Sequence, residues 1–432
     1  MSNNLSTKKM KVFTNRNFME IPELNHIDSD IVKDIEILRH VFPFRVNNYV
    51  LENLINWNDI PNDPMYRLVF PHREMLSEED YSLLQKVLSE NDEGKLNILV
   101  HKIRLKMNPH PAGQMDKNVP ELNGRKLKGI QHKYKETVLF FPKESQTCHS
   151  YCSYCFRWPQ FLEEKSMKFS STDIEELPHY LSYNRDVTDV LFTGGDPMIL
   201  NSRKLTDYME ILLEPQFSNV QNIRIGTKSL TYWPFRYLSD SDSDEIIELF
   251  ERIISSGKNL FIMAHFSHWS ELNNDLVIKA VERLKRIGAS VYSQAPMLRH
   301  INDDAMVWKK MWKMQLDMGI VPYYMFMSRD TGANKYFGVP IAKAIKIYRD
   351  IITNVSGLTK TVRGPVMSTY YGKVEVQGIT EIKNEKYFCL RFIQARNTDW
   401  INRPFFAKYS TTALWLNDLE PAFEDKKFFF QE

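Results

Sequence analysis

Cysteine is scarce in this chain, with four residues in 432. Four cannot staple a chain of this length, which excludes a disulfide-built secreted scaffold and fits a reducing cytoplasm. No apolar run approaches the ~18 residues of a membrane-spanning helix. The N-terminal stretch MSNNLSTKKMKVFTNRNFME lacks the apolar core of a secretory leader, so neither export nor a membrane is expected. Excess charge is lacking as well: 56 Lys and Arg against 54 Asp and Glu leave +2. That balance gives no bulk attraction to nucleic acid or to a membrane surface. Local basic stretches such as Lys8–Lys11 and Lys426-Lys427 are short and read as solvated ends. There is no internal repeat and no low-complexity tract. The hydrophobic fraction of 43% is ordinary for a globular protein with a substantial core.

What little cysteine there is stands together. Three of the four fall within eight residues, as Cys148-His-Ser-Tyr-Cys152-Ser-Tyr-Cys155. The spacing C-x3-C-x2-C supplies three thiolates to one small volume. On a cubic iron–sulfur cluster, three protein thiolates leave one iron open to bind and activate a small molecule. Other readings exist. Zinc would need a fourth ligand such as His149 or Cys389, a four-cysteine electron carrier would need Cys389, and three buried free thiols need nothing. Against these, such clustering is improbable by chance, and no second C-x2-C completes a zinc ribbon.

Residues 1 to about 128 read as a mostly helical region. Ser29–His40 and Ser77–Leu88 carry apolar residues at helical spacing, and Ser77-Glu-Glu-Asp80 is a helix start. Asn108–Gly129, rich in Pro, Gly and Asn, reads as a linker or covering loop. From 129 to 355, short apolar runs alternate with helical segments. The runs are Val138–Phe141, Val190–Thr193, Ile223–Gly226, Leu260–Ala264, Ser290–Ser293 and Pro322–Met327. The helices expected between and after them are Thr172–Tyr183, Ser202–Leu213, Asp242–Ser255, Asp275–Ile287, Asp303–Met318 and Val339–Thr353. Thr172-Asp-Ile-Glu175 fits a capping box. The acidic run Ser239–Asp244 reads as a helix N-terminus rather than a metal site. Six strand–helix units predict an α/β fold with a parallel sheet, as a partial (β/α)6 barrel, with a doubly wound open sheet as the alternative. Either architecture puts ligands at the C-terminal ends of the strands. Residues 356–432 form a C-terminal extension.

The cysteine triplet follows the first expected strand, where a barrel keeps its active site. Gly194 and Gly195 follow the second, and lacking Cβ they permit close backbone approach. His265 ends the fourth strand and Gln294 the fifth; alone, each is as readily a hydrogen-bonded core group. His265-x-x-His268 fixes no metal geometry. Tyr151, Tyr154, Phe156, Trp233, Trp269 and Trp308 have packing as their default role.

These residues, in this order, resemble radical S-adenosylmethionine enzymes of the lysine 2,3-aminomutase type. The match includes Cys148, Cys152 and Cys155 with Tyr154 before the last cysteine, Gly129-Ile-Gln-His132-Lys-Tyr134, and Thr193-Gly194-Gly195-Asp196-Pro197. It continues through Arg224-Ile-Gly226-Thr227, His265-Phe-Ser-His268, Gln294, Leu298-Arg299 and Pro365-Val-Met367. It runs from about residue 30 to 380. The resemblance implies a 4Fe-4S cluster on the three cysteines, with S-adenosylmethionine on the open iron. Tyr154, Thr193, Gly194, Gly195, Asp196, His265 and Gln294 are then its contacts. One electron cleaves the sulfonium to a 5′-deoxyadenosyl radical, which abstracts hydrogen from substrate. The resemblance also implies a small-molecule substrate, an external electron donor of flavodoxin or ferredoxin type, and assembly as a homo-oligomer.

The resemblance breaks near the C-terminus. The aminomutases hold pyridoxal phosphate through a lysine imine in a glycine-rich loop before Pro-Val-Met. Here that segment, Ser356-Gly-Leu-Thr-Lys360-Thr-Val-Arg363-Gly364-Pro365, is shorter and lacks the glycine run. Arg363 takes the lysine's place, and a guanidinium cannot form the imine. Lys360 is the one nearby substitute. The relatives' phosphate-holding arginine before the first strand matches Thr137. Their substrate carboxylate at the end of the sixth strand becomes Ser328-Arg329-Asp330, so Asp330 could replace it after a shift. We therefore expect a radical enzyme acting on an amino-acid-like or other small polar substrate without pyridoxal phosphate, with Arg363 binding an anionic group. The alternatives are a pyridoxal-dependent 2,3-aminomutase using Lys360, and a non-catalytic iron–sulfur or zinc binding protein.

Overall fold

The computed structural model describes residues 8–109, 118–162 and 168–431. Part of the expected linker Asn108–Gly129, residues 110–117, therefore lies outside the described residues.

The centre of the fold is an eleven-stranded sheet whose order in space is its order in sequence. Its strands are Ile130–Tyr134 (β1), Thr137–Phe140 (β2), Asp189–Phe192 (β3), Asn222–Thr227 (β4), Asn259–His265 (β5) and Ser290–Met297 (β6). Val321–Met327 (β7), Arg363–Ser368 (β8), Gly372–Ile382 (β9), Glu385–Ala395 (β10) and Pro404–Lys408 (β11) complete it. From β2 to β8 the strands run parallel; β1 and β9–β11 pair antiparallel at the two ends. The six expected strands are present, and β8 adds a seventh to the parallel run. It went unread because Arg363-Gly-Pro365 looks like a loop; proline lacks the N–H a ladder needs and is tolerated at strand beginnings.

The parallel strands alternate. In β4 the residues Ile223, Ile225 and Thr227 are buried, while Asn222, Arg224 and Gly226 face the other side. The first set packs against helices that cross between strands. Asp275–Arg286 is a clear case: Val277, Ala280, Val281 and Leu284 recur at helical spacing and are all buried. Asn274 caps that helix by accepting from the Leu276 amide at 2.9 Å. Each fully buried aliphatic or aromatic side chain in this layer contributes ~1.5–3 kcal/mol. The expected helices are present, three of them altered: the one drawn over Ser202–Leu213 is α-helical to Met209 and a 3-10 helix beyond, and those drawn from Asp303 and Val339 begin at Ala305 and Ile341. A fourth differs more. The helix drawn from Thr172 begins at Glu176, with no side-chain cap, because Ser171 rather than Thr172 organises the turn through Asp173 and Glu176.

The sheet curls so that β1 comes up against the residues joining β8 to β9. Lys133 of β1 donates to the Thr369 carbonyl just after β8, and the Lys373 ammonium of β9 lies 5.5 Å from the centre of the Tyr134 ring. Residues 8–107 form a second core. It includes Tyr232, Trp233, Leu298 and Phe337, which come from loops at the C-terminal ends of β4, β6 and β7. The N-terminal region therefore covers the strand ends where the cysteine loop emerges. Trp233 and Trp308 are core residues. The C-terminal aromatics dock within the chain: Phe405 and Phe428–Phe430 pack with Phe392 and Trp400 on the outer strands.

Candidate active site

Cys148, Cys152 and Cys155 sit on the loop after β2, clamped from two sides. On the N-terminal side, Tyr151 N donates to Arg45 O and Ser153 N to Leu68 O, both at 2.8 Å, and Asn47 Nδ2 donates to His149 O at 3.2 Å. On the sheet side, the Gly194-Gly195 turn presses against residues 145–147. Gly195 N donates to Ser145 O at 2.9 Å and Asp196 N to Thr147 O at 2.8 Å. A Cβ on Gly194 would come within 2.8 Å of Ser145 O, and one on Gly195 within 2.7 Å of Thr147 N. Real Cβ atoms do not approach backbone so closely. The glycines are therefore needed for the contact between this turn and the cysteine loop.

All three thiols are unbridged and partly buried. Burial, then the neighbouring Asp196 and the other two cysteines, raises Cys148 well above the ordinary thiol range; burial and Cys152 push Cys155 up to about 12. Each cysteine thus feels another, and the three share one neighbourhood. Among the described residues no three His, Cys, Asp or Glu side chains converge on a point that could hold a single metal ion. A multi-iron cluster takes its thiolates at separate corners, so a soft three-sulfur donor set suits it better than it suits one zinc ion. Cys389 lies elsewhere on β10, its sulfur 3.6 Å from Gln377 Oε1.

The other expected contacts gather at the strand ends. Tyr154 OH is 2.9 Å from His265 Nε2 and 3.1 Å from Ser267 Oγ. Burial lowers His265 well below its ordinary value, with Lys228 adding to the effect, so its ring is neutral. Gln294 pairs with His265 on one neighbouring strand and with Tyr324 on the other. Asp196 accepts from Thr227 Oγ1 at 2.7 Å and from Lys228 N at 2.9 Å, while burial raises its carboxyl to about 6. Thr193 carries the carbonyl that accepts from Ser145 Oγ at 3.2 Å. His268 instead bonds Ser270 at 2.8 Å.

Three contributors escaped the sequence reading. Lys228 and Glu271 form a buried ion pair beside the site, with Lys228 Nζ also donating to His265 O at 3.2 Å. Tyr232 OH lies 3.4 Å from Cys152 Sγ. Lys228 directly follows the strand-ending Thr227, the one signal that could have marked it.

Arg363 is exposed at the start of β8; its Nη1 lies 3.1 Å from Tyr324 OH and 3.4 Å from Tyr323 OH. Lys360 is exposed, and Asp330 follows Arg329 beyond β7, where its charge acts on the Arg329 guanidinium. Arg363, two positions before Pro365, thus puts a guanidinium where the resemblance expects the imine lysine, and a guanidinium does not form an imine.

No family model matches the chain. It is 31% identical over 412 residues to a protein of Aquifex aeolicus named "Putative L-lysine 2,3-aminomutase", covering 95% of both chains. It is 28% identical over 231 residues to the glutamate 2,3-aminomutase of Clostridioides difficile, covering 53% of this chain and 51% of that protein. The crystal structure of a radical SAM methyltransferase from Sphaerobacter thermophilus overlaps 55% of this chain and 68% of its own, at 14% identity and a TM-score of 0.38. The chain is a radical S-adenosylmethionine enzyme of α/β fold. Within that class it belongs to the lysine 2,3-aminomutase-like family. Membership implies a 4Fe-4S cluster and S-adenosylmethionine. Among the described residues no helix is long and apolar enough to cross a membrane.

Proposed function

We propose that this chain holds a 4Fe-4S cluster on Cys148, Cys152 and Cys155, reductively cleaves S-adenosylmethionine there, and abstracts hydrogen from an amino-acid-like substrate without pyridoxal phosphate. The carrying observation is the contrast between a cysteine loop clamped by Gly194-Gly195 and a guanidinium, Arg363, at the imine position. When bound, the cluster supplies the electron that breaks the sulfonium. The chain's own residues do the holding. Thr193, Gly194, Gly195 and Asp196 form the turn held against the cysteine loop and would offer backbone carbonyls to the ammonium group of a bound S-adenosylmethionine. Tyr154, His265 and Gln294 offer hydrogen bonds to adenosine or carboxylate at adjoining strand ends. The seven parallel strands then act as a partial barrel with the substrate inside it. The reading calls for an external electron donor of flavodoxin or ferredoxin type and for the reducing cytoplasm. The relatives are named for lysine and for glutamate, amino acids of opposite side-chain charge, so neither charge is favoured by the names alone.

The test is anaerobic reconstitution. Iron content together with 5′-deoxyadenosine formed under dithionite is expected. Zinc content and no cleavage would overturn the reading and favour a non-catalytic binding protein.

A pyridoxal-dependent aminomutase is the second reading, and one observation favours it. Lys373 is buried among cations, and a lysine so placed is a nucleophile near neutral pH. An absorbance band of an internal aldimine, lost in Lys373→Ala, would establish it over the first.

A further inference from the structure

Six cations approach one another across the sheet: Lys133, Arg224, Arg329, Lys373 and Arg396, which are half-buried, and Arg363, which is exposed. Lys373 feels Arg224 and Arg363; Lys133 feels Arg396, Arg329 and Lys373. The row reaches the cysteine loop, because Arg157 feels Cys155, Cys148 and Arg329.

Their hydrogen-bond partners are mostly neutral. Lys133 donates to the Thr369 carbonyl, Lys373 to Gln394 Oε1 at 2.7 Å, Arg396 Nε to Tyr370 O at 2.8 Å, and Arg363 to Tyr324 OH. Two carboxylates stand among the six: Asp189, 3.5 Å from Arg224, and Asp330, beside Arg329. Glu375, on the same strand as Lys373, is paired with Arg391 at 2.8 Å. Two buried groups, Arg329 Nε and Tyr134 OH, have no hydrogen-bond partner among the described residues.

Proteins do not gather uncompensated cations in an interior without cost, and buried charges are paired or ligand-bound. Burial, reinforced by the neighbouring cations, lowers Lys373 to about 7 and Lys133 to about 6. An anion placed among these groups would favour their protonated forms. Yet both lysines and Arg329 keep some accessible surface although they lie deep in the fold, as groups lining a cavity do. An ammonium side chain entering this field meets mostly like charge, Asp189 and Asp330 being the two carboxylates among the cations.

We infer that the interior of the sheet, between the cysteine loop and Arg363, binds a small molecule bearing two or more anionic groups, and that this molecule is the substrate. The inference rests on the radical reading above and gives it a substrate class, a dicarboxylate or phosphorylated amino-acid-like compound rather than lysine. Arg363 and Lys373 hold one end of the molecule, and Arg329 and Lys133 hold the end nearer the cluster.

The test is calorimetric titration of the anaerobically reconstituted full chain, with S-adenosylmethionine present, using L-glutamate, inorganic phosphate and L-lysine at matched ionic strength. Glutamate and phosphate should bind at least tenfold tighter than lysine and weaken with salt. Lys373→Gln and Arg224→Gln, each checked for iron content, should each weaken phosphate binding at least tenfold. Equal or tighter lysine binding, or phosphate affinity within twofold of wild type in both variants, would overturn the inference. So would pyridoxal phosphate displacing inorganic phosphate with a band that Lys373→Gln removes, because the cations would then belong to a cofactor. Protein that binds the anions but forms no 5′-deoxyadenosine overturns the radical reading alone. Protein that forms 5′-deoxyadenosine but ignores the anions overturns this inference alone.

Discussion

The strand-end site and the sheet interior treat charge in opposite ways. At the strand ends, Lys228 meets Glu271, Asp196 accepts from Thr227 and from backbone amides, and Glu271 accepts from the amides of Ser267 and His268. Each of these buried charges has a partner supplied by the chain. Among the six cations, most partners are carbonyls, an amide and phenols, with Asp189 and Asp330 the two carboxylates. The first arrangement is complete in itself and serves to hold a loop still. The second leaves an excess of positive charge, which the proposed anion would offset. A family can therefore keep one end fixed while the other changes what it accepts.

Substitutions can break or sharpen that contrast. The largest effect is expected at the cysteines: Cys152→Ser should bring 5′-deoxyadenosine formation below detection by chromatography of the quenched reaction. Next is the completed network. Glu271→Ala leaves Lys228 charged and unpaired in a buried site, and should cost ~3–5 kcal/mol in denaturant unfolding. A similar loss from removing an interior cation would erase the distinction between the regions. Gly195→Ala forces a methyl against the Thr147 backbone and should cost ~1–3 kcal/mol, with reduced iron content on reconstitution.

The interior should reveal itself through pH. With Lys373 lowered to about 7 in the folded protein, the unfolded chain binds more protons than the folded one above that pH. The stability of wild type relative to Lys373→Gln should therefore rise from about pH 7 to pH 9, with a slope of at most ~1.4 kcal/mol per pH unit. Saturating phosphate should flatten this slope by holding the proton on. A flat difference without any anion would mean that the interior is already neutralised. The smallest effect belongs to Lys360→Ala, an exposed loop position. It should change stability by less than ~0.5 kcal/mol and leave any pyridoxal-dependent absorbance where it was.

The strand-end site was largely legible in the sequence because its parts are local. Three cysteines lie on one loop, two glycines follow one strand, His265 ends another, and Gln294 pairs beside it, although its own strand runs on to Met297 rather than ending there as expected. The interior was not. Lys133, Arg224, Arg329, Lys373 and Arg396 are spread over more than half the chain and meet only through the curl of the sheet. One trace was available: Arg224 stands between Ile223 and Ile225, a charge at an inward position of a strand. β8–β11 were missed for a different reason. β8 opens on Arg-Gly-Pro, and the long hairpin of β9 and β10 alternates with charged residues that read as loop.

The clamp on the cysteine loop has a bearing on how the protein is made. Arg45 and Leu68, which bond the loop from one side, leave the ribosome about a hundred residues before it. Gly194, Thr227 and His265, which fix the other side and its surroundings, follow forty to more than a hundred residues behind. For that interval the thiols hang from half a frame. Iron arriving then would meet a floppy peptide; iron arriving after the fourth parallel strand is in place would meet a formed cup. The loop is thus held on both sides only once the strands behind it have been made.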